Sequence, residues 1–179
     1  MTLSAKHVLP DKIPKPFIER SRLDSIVDQV TLFGGLSESQ LTGVVRKLKQ
    51  ATFSHNEFVF KRGEQACYIY IVLSGRVKLK FCSPDHPMTG HEYIQGQCFG
   101  ITSVIGIQNH SVTTQAEGDV ELLVLSRKDL MLIFEEDQGL FGYLILNIAR
   151  ESCRRLNYLN DCFEESVQHG VIEAVPAKA

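Results

Sequence analysis

The chain has 179 residues, 44% of them hydrophobic, and its 19 Lys and Arg against 21 Asp and Glu give a net charge of −2. This length suggests one domain with modest extensions and enough apolar content for a core. No segment concentrates the positive charge that non-specific nucleic-acid binding needs, and no apolar run reaches the length of a membrane span.

The first fifty residues predict a flexible arm followed by helices. Three of the six prolines lie within 1–16, the predicted arm, and the first twenty residues lack a signal-peptide core, so we expect a cytoplasmic protein. Helical spacing of apolar residues in 17–30 predicts a helix. Ser37, followed three residues later by Gln40, resembles a capping box that opens a second helix. Residues 17–50 are therefore assigned to N-terminal helices.

Residues 51–126 have the pattern of several short strands. Apolar and aromatic side chains alternate with a period of two, and turn signals such as Ser74-Gly75 separate the runs. Short strands at this spacing suggest a compact antiparallel roll or barrel.

Residues 127–165 predict two helices, over 127–136 and about 139–165, and we expect residues 166–179 to form a frayed tail. The longer helix carries an apolar stripe at steps of three and four residues, a pattern that needs a partner surface. The stripe consists of Phe141, Ile145, Ile148, Ser152, Leu156, Leu159 and Phe163. Its two candidate partners are a second molecule and the strands of its own chain.

Two segments, 56–64 and 68–79, resemble the paired signatures of the cyclic-nucleotide-binding domain found in the catabolite-activator and fumarate-nitrate-reductase superfamily. Gly75 suits a tight turn, and Asn56 is the next best residue where the family has a glycine with positive φ. The resemblance covers about residues 31–165. It implies an α+β fold, a β-roll (double-stranded β-helix, jelly-roll type) flanked by N-terminal helices and a long C-terminal helix.

Within the roll, residues 96–112 resemble the family's phosphate-binding cassette, in which a phosphate binds at the N-terminus of a short helix. The family pattern is Phe-Gly-Glu and, further on, Arg-Ser/Thr-Ala. Here Ile101 replaces the Glu that binds the ribose, and His110 replaces the Arg that neutralises the phosphate. The ligand-binding positions implied by the resemblance are Phe99, Gly100, Ile101, Thr102, Ser103, His110, Ser111 and Val112.

These two replacements argue against ordinary cyclic AMP binding. A charge-assisted hydrogen bond contributes about 1.5–3 kcal/mol, so losing two weakens binding by about a hundredfold to ten-thousandfold. His110 is either a titrating anion ligand or a loop histidine that remains after the site lost its ligand. Ile101, with Val104 and Ile105, either lines an apolar pocket or fills the hollow that a ligand would occupy.

The resemblance also implies a role for the long helix, which in the family forms the dimer seam. We therefore expect a homodimer. Asn157 and Asn160 lie where relatives reach the base of a bound nucleotide, with a solvated helix face as the alternative. About fourteen residues follow Glu165, too few for a helix-turn-helix domain, so we expect no direct DNA binding.

No catalytic motif or metal-ligand spacing is present in the sequence, and the five cysteines are interpreted as reduced, partly buried thiols. The sequence therefore predicts a non-enzymatic regulatory domain. This domain would bind a cyclic nucleotide or an atypical small ligand in the cassette and signal to a partner protein through its C-terminal helix. The alternative is a ligand-free interaction scaffold.

Overall fold

The structure is a computed structural model that describes residues 15–16, 26–81 and 88–169. Its strands form an antiparallel roll in the order β1-β2-β7-β4-β5, with β3 also pairing with β7 and β6 with β4. The strands are β1 Lys15–Pro16, β2 Lys49–Phe53, β3 Phe58–Phe60, β4 Tyr68–Phe81, β5 Met88–Tyr93, β6 Cys98–Phe99 and β7 Thr113–Ser126. The predicted α+β roll is confirmed.

In chain order, helices lie before and after the main strands, and one short helix lies between β6 and β7. Two 3-10 helices, Val27–Gln29 and Thr31–Phe33, precede α1 Glu38–Val45, α2 Ile101–Ile105, α3 Arg127–Glu136 and α4 Gln138–Gln168. The predicted capping box is present, because the Gln40 N–H donates to Ser37 Oγ and the Ser37 N–H donates to Gln40 Oε1. Within the described ranges, no helix combines the length and apolar character needed to cross a bilayer.

Strands β4 and β7 are buried on both faces over residues 69–73 and 122–125 and so serve two cores. In β4, Ile69 and Ile71 pack against the helices, whereas Tyr70 and Val72 face the inside of the roll. This division follows from the period of two along a strand. The first group, here named the helical core, includes Ile69, Ile71, Leu123, Leu125, Leu144 and Ile148. The second, here named the roll interior, includes Phe53, Phe60, Tyr70, Val72, Tyr93, Phe99 and Leu122.

Helix α4 is anchored in its first third by a buried amide. The Asn147 side chain donates to the carbonyl oxygens of Leu32, at 3.1 Å, and Gly34, at 2.8 Å. Leu144 and Ile148 pack in the helical core on either side of it. The first half of α4 is thus fixed to the 3-10 helices as well as to the roll.

Three expectations about the ends of the chain need correction. Lys15 and Pro16, in the predicted flexible arm, form β1 and pair with Gln50 and Lys49, since the edge of β2 offers unpaired backbone groups. Of the predicted helix over 17–30, residues 17–25 lie outside the described residues. The remainder forms only a 3-10 helix at Val27–Gln29, where β-branched residues disfavour an α-helix. Helix α4 continues to Gln168, past the predicted start of the tail.

The predicted turn at Ser74-Gly75 is also wrong, because β4 runs continuously from Tyr68 to Phe81. Its register with β7 shifts on both sides of Ser74, which marks an irregularity within the ladder. Gly75 has a φ of +84° and lies so close to β7 that an added Cβ would collide with the Asp119 carbonyl oxygen. The glycine therefore bends a long strand and does not end it.

Gly75→Ala should lower the free energy of unfolding by about 2–4 kcal/mol, because it combines a strained φ with a backbone collision. Gly118→Ala is the matched control: its φ is +74°, but no atom lies within 4 Å of the added Cβ. It should cost about 1–2 kcal/mol of strain alone. Urea unfolding measures both variants, and equal losses would contradict the collision with β7.

Candidate functional site

The segment between β6 and β7 begins with a glycine in the left-handed conformation. Gly100 has a φ of +78° and directly precedes α2. A Cβ at this position would lie 2.9 Å from the Tyr68 carbonyl oxygen and 3.2 Å from Cδ2 of Tyr70. Only glycine allows this close approach to β4. Phe99, one residue earlier, pairs with Tyr70 in the β4–β6 ladder.

Helix α2 turns its first side chain into the helical core. Ile101 is 2% exposed and packs there with Val104, whereas Ile105 on the same helix is 40% exposed. Thr102 is exposed and Ser103 is buried. Of the three residues that the sequence placed either in an apolar pocket or in a filled hollow, Ile101 and Val104 are therefore buried together and Ile105 is not. Burial of Ile101 favours the interpretation that its side chain contributes to packing.

His110 is buried at the other end of the cassette. Its imidazole stacks on the Phe60 ring with a centroid distance of 3.5 Å and an interplanar angle of 6°. Its backbone N–H donates to the Glu64 carbonyl oxygen, and its own carbonyl oxygen accepts from the Gly63 N–H, both at 2.8 Å. These contacts tie the end of the cassette to the turn that follows β3 and hold the imidazole against the roll interior.

Four aromatic rings form a continuous group in the roll interior, here named the aromatic cluster: Phe60, Tyr70, Tyr93 and Phe99. The Phe99 ring stacks on Tyr70 at 5.1 Å and on Tyr93 at 4.9 Å between centroids. The Phe60 ring lies 5.6 Å from Tyr70 and 6.0 Å from Phe99. The cluster therefore extends from His110 to the side of the roll that α4 covers.

Helix α4 contacts this cluster through its second half. The Arg155 guanidinium lies 5.0 Å from the Tyr93 ring centroid and donates to the carbonyl oxygen of Cys98, in the strand that leads into the cassette. Glu151, one turn earlier, accepts from Arg155 Nε at 3.1 Å. The Tyr158 ring lies 5.8 Å from the His91 ring on β5. We name these contacts the α4 latch.

Burial keeps the tyrosine hydroxyls and the cysteine thiol of the site uncharged. Desolvation raises the pKa of the Tyr70 and Tyr93 hydroxyls, and it raises the pKa of the Cys98 thiol to about 12. Burial also acts to raise the pKa of Glu151, but the hydrogen bond from Arg154 and the charge of Arg155 outweigh it and lower the pKa. The carboxylate therefore stays ionised and orients Arg155. Ionised groups border the roll interior but do not enter it.

In the part of the chain that the structure describes, the roll interior lacks the buried Lys or Arg that would neutralise a phosphate. Among the described residues, no Asp, Glu, Lys or Arg side chain is buried. A charged ligand in the roll interior would therefore need a counter-charge from its rim, since an unpaired buried charge costs several kcal/mol. Within the same residues, no group of His, Cys, Asp and Glu is placed to hold a metal ion.

The structure brings only part of the predicted site together. Phe99 belongs to the aromatic cluster, and His110 stacks on one of its rings. Val112 is partly buried and packs against the roll interior. Ser111 is exposed, as are Asn157 and Asn160 on α4. A contact between those asparagines and a nucleotide base stays a prediction.

Sequence reasoning missed the aromatic residues of β3 to β5 as site residues, and it missed Arg155. Period-two alternation marks Phe60 and Tyr70 as buried, but it does not say which of the two cores they enter. Arg155 carries no local signal, because it belongs neither to the apolar stripe nor to a recognised motif. Its role depends on where α4 crosses β6.

The profile of the family described as "Cyclic nucleotide-binding domain" matches residues 50–137. The chain is 28% identical over 172 residues to the cyclic nucleotide-gated channel beta-1 of Bos taurus, covering 89% of this chain and 11% of the channel. It is 27% identical over 146 residues to a CRP-like cAMP-activated global transcriptional regulator of Mycobacterium tuberculosis, covering 78% of this chain and 62% of the regulator.

A solved cyclic nucleotide-binding domain from Methylobacillus flagellatus superposes with a TM-score of 0.69 at 15% identity. The superposition covers 94% of this chain and 91% of that structure, which supports the same fold over nearly the whole length. The chain spans only 11%, 32% and 10% of three curated channel relatives that it matches.

Ile101→Glu should lower the free energy of unfolding by about 3–5 kcal/mol at pH 7, because it buries an unpaired carboxylate in the helical core. The loss should shrink as pH falls towards 4. Burial raises the pKa of the new carboxyl above its unfolded value, so the folded protein binds the proton more tightly. Urea unfolding at both pH values measures this.

Ile105→Glu is the control on the same helix, and its exposed side chain should change stability by less than about 0.5 kcal/mol. Equal stability of the two variants would show that position 101 faces solvent and would contradict the packing of α2.

Proposed function

Because the chain belongs to the cyclic nucleotide-binding domain family of the catabolite-activator superfamily, we propose that it is a non-enzymatic regulatory domain. It binds a small ligand in the roll interior and passes the occupancy to a partner protein through α4. The observation that carries this proposal is the α4 latch. Through Arg155, α4 contacts the strand that leads into the cassette, and the same helix exposes apolar side chains further along. Two of the relatives are named as a cyclic nucleotide-gated channel and a cAMP-activated transcriptional regulator, which supports a regulatory role.

The α4 latch supports coupling between the site and the helix. Arg155 donates a hydrogen bond to the carbonyl oxygen of Cys98, which lies two residues before Gly100. A displacement of the cassette would therefore move the acceptor of the Arg155 hydrogen bond. A ligand that binds one placement of α4 more tightly shifts the population towards that placement. By the same linkage, a partner that binds α4 changes the affinity for the ligand.

The neutral interior supports a ligand other than a cyclic nucleotide phosphate. His110 lies flat on Phe60 and offers its ring face to an aromatic neighbour. Ile101, at the family's ribose-binding position, is buried in the helical core. Both replacements that the sequence revealed therefore have packing roles, which favours an altered specificity.

The apolar stripe of α4 divides into two halves with different surroundings. Ile145 and Ile148 pack in or against the helical core, whereas Leu156, Leu159 and Phe163 are more than half exposed. We propose that this exposed half forms the contact with a second copy of the chain or with a partner protein. Exposed apolar residues at helical spacing are typical of such surfaces.

A second candidate function, a ligand-free interaction scaffold, is favoured by the aromatic cluster. Its stacked rings already occupy the centre of the roll interior and hold Tyr93 beneath α4. In this case the latch would keep α4 in one placement permanently, and only the exposed half of the stripe would act.

Leu159→Glu should convert a dimer to a monomer, or abolish partner binding, because it places a charge in the exposed half of the stripe. Leu146→Glu is the matched control: Leu146 is 46% exposed but lies on a different face of α4. Sedimentation equilibrium measures the mass of each. An unchanged mass for both variants together with a wild-type dimer would place the interface elsewhere.

Arg155→Met should increase amide hydrogen exchange in the second half of α4 and in β6, because it removes the hydrogen bond to Cys98. Arg154→Met is the control, since Arg154 contacts the same Glu151 but is 56% exposed. Hydrogen-exchange mass spectrometry compares the two variants. If Arg155→Met exchanges at the wild-type rate, the latch does not stabilise α4, and the proposed route of coupling is contradicted.

A further inference from the structure

Two buried hydroxyl groups in the roll have no hydrogen-bond partner among the described residues: Tyr70 Oη and Thr114 Oγ1. Tyr70 is 0% exposed and Thr114 is 1% exposed. Buried polar groups in folded proteins are almost always hydrogen-bonded, because an unsatisfied one retains its full desolvation cost. Each such group therefore needs a specific explanation.

Both hydroxyl-bearing side chains face the roll interior. Tyr70 belongs to it directly. Thr114 is the ladder partner of Phe60 on β3 and of Leu79 on β4, and both of these pack in the roll interior. Directly paired residues of an antiparallel ladder project from the same face, so Thr114 points inward as well. Phe60 is the common neighbour, since its ring also lies 5.6 Å from the Tyr70 ring.

The surroundings of these hydroxyls restrict the chemistry of a ligand. The aromatic cluster presents flat apolar faces, which favour a planar ring. No Asp, Glu, Lys or Arg is buried among the described residues, and the one buried histidine there, His110, lies flat on Phe60, so an ionised ligand would lack a permanent counter-charge. Each hydroxyl can donate one hydrogen bond and accept another. A molecule that satisfies both must therefore be flat, uncharged and equipped with a hydrogen-bonding atom.

We infer that the roll interior binds a small uncharged aromatic molecule, which accepts a hydrogen bond from Tyr70 and contacts Thr114. This inference rests on the proposed function and specifies its ligand. The molecule packs against the aromatic cluster, and Tyr93 connects its binding to the α4 latch, because the Tyr93 ring contacts both Phe99 and Arg155. Recognition depends on stacking and two neutral hydrogen bonds.

The test compares adenosine with cyclic AMP, a pair that shares base and ribose and differs in the charged phosphate. Phenol serves as a smaller uncharged aromatic probe whose oxygen can accept the hydrogen bond from Tyr70. Isothermal titration with the full chain should give an affinity for adenosine at least about tenfold higher than for cyclic AMP. Tighter binding of cyclic AMP, or no binding of either adenosine or phenol, would overturn the inference.

Tyr70→Phe makes a prediction with two signs. It should raise the melting temperature of the ligand-free protein, because it removes an unsatisfied buried hydroxyl, and it should weaken binding of the uncharged probe by about five- to tenfold. Thr114→Val tests the second hydroxyl in the same way, independently of the aromatic ring. Tyr143→Phe is the control, since Tyr143 is 45% exposed on α4 and should change neither quantity.

A lower melting temperature with unchanged affinity in both Tyr70→Phe and Thr114→Val would assign the hydroxyls a structural role and overturn the inference. The result is separable from that of the proposed function. If Arg155→Met loosens α4 as expected while no uncharged probe binds, the ligand class fails and the coupling stands. If a probe binds but α4 exchange never responds to it, the coupling fails and the ligand class stands.

Discussion

The pairing of β4 with β7 is the constraint on which the rest of the structure depends. Over residues 69–73 and 122–125 these two long strands are buried on both faces, so each successive side chain there enters either the helical core or the roll interior. A register shift of one residue would exchange the two sets and place Tyr70 among the helices. The bend at Gly75 lets the pair follow the curvature of the roll without breaking the ladder.

The alternation that defines the roll was visible in the sequence, and so were the capping box at Ser37 and the positive φ of Asn56. These features depend on neighbours within a few residues. The orientation of Ile101 was not predictable, because an apolar residue after Gly100 satisfies either core equally well. The contact of Arg155 with β6 joins residues 57 positions apart and depends on how α4 crosses the roll.

The divergent cassette has a coherent physical explanation. Ile101, where the resemblance predicts a ribose-binding Glu, contributes to the helical core, and His110, where it predicts an Arg, supplies a ring that stacks on Phe60. Each replacement exchanges an interaction with a ligand for an interaction within the protein. The same exchange leaves the roll interior aromatic and uncharged, so electrostatic attraction cannot supply the affinity of a ligand there.

Helix α4 has the geometry of a lever with its pivot at Asn147. The paired hydrogen bonds to the carbonyl oxygens of Leu32 and Gly34 fix that point. At 1.5 Å per residue, Arg155 lies about 12 Å along the helix from the pivot and Phe163 about 24 Å. A tilt of a rigid helix about Asn147 therefore moves Phe163 about twice as far as Arg155. Such a tilt would convert a small displacement of Arg155 at the rim of the roll into a larger displacement of the exposed apolar side chains at the end of α4.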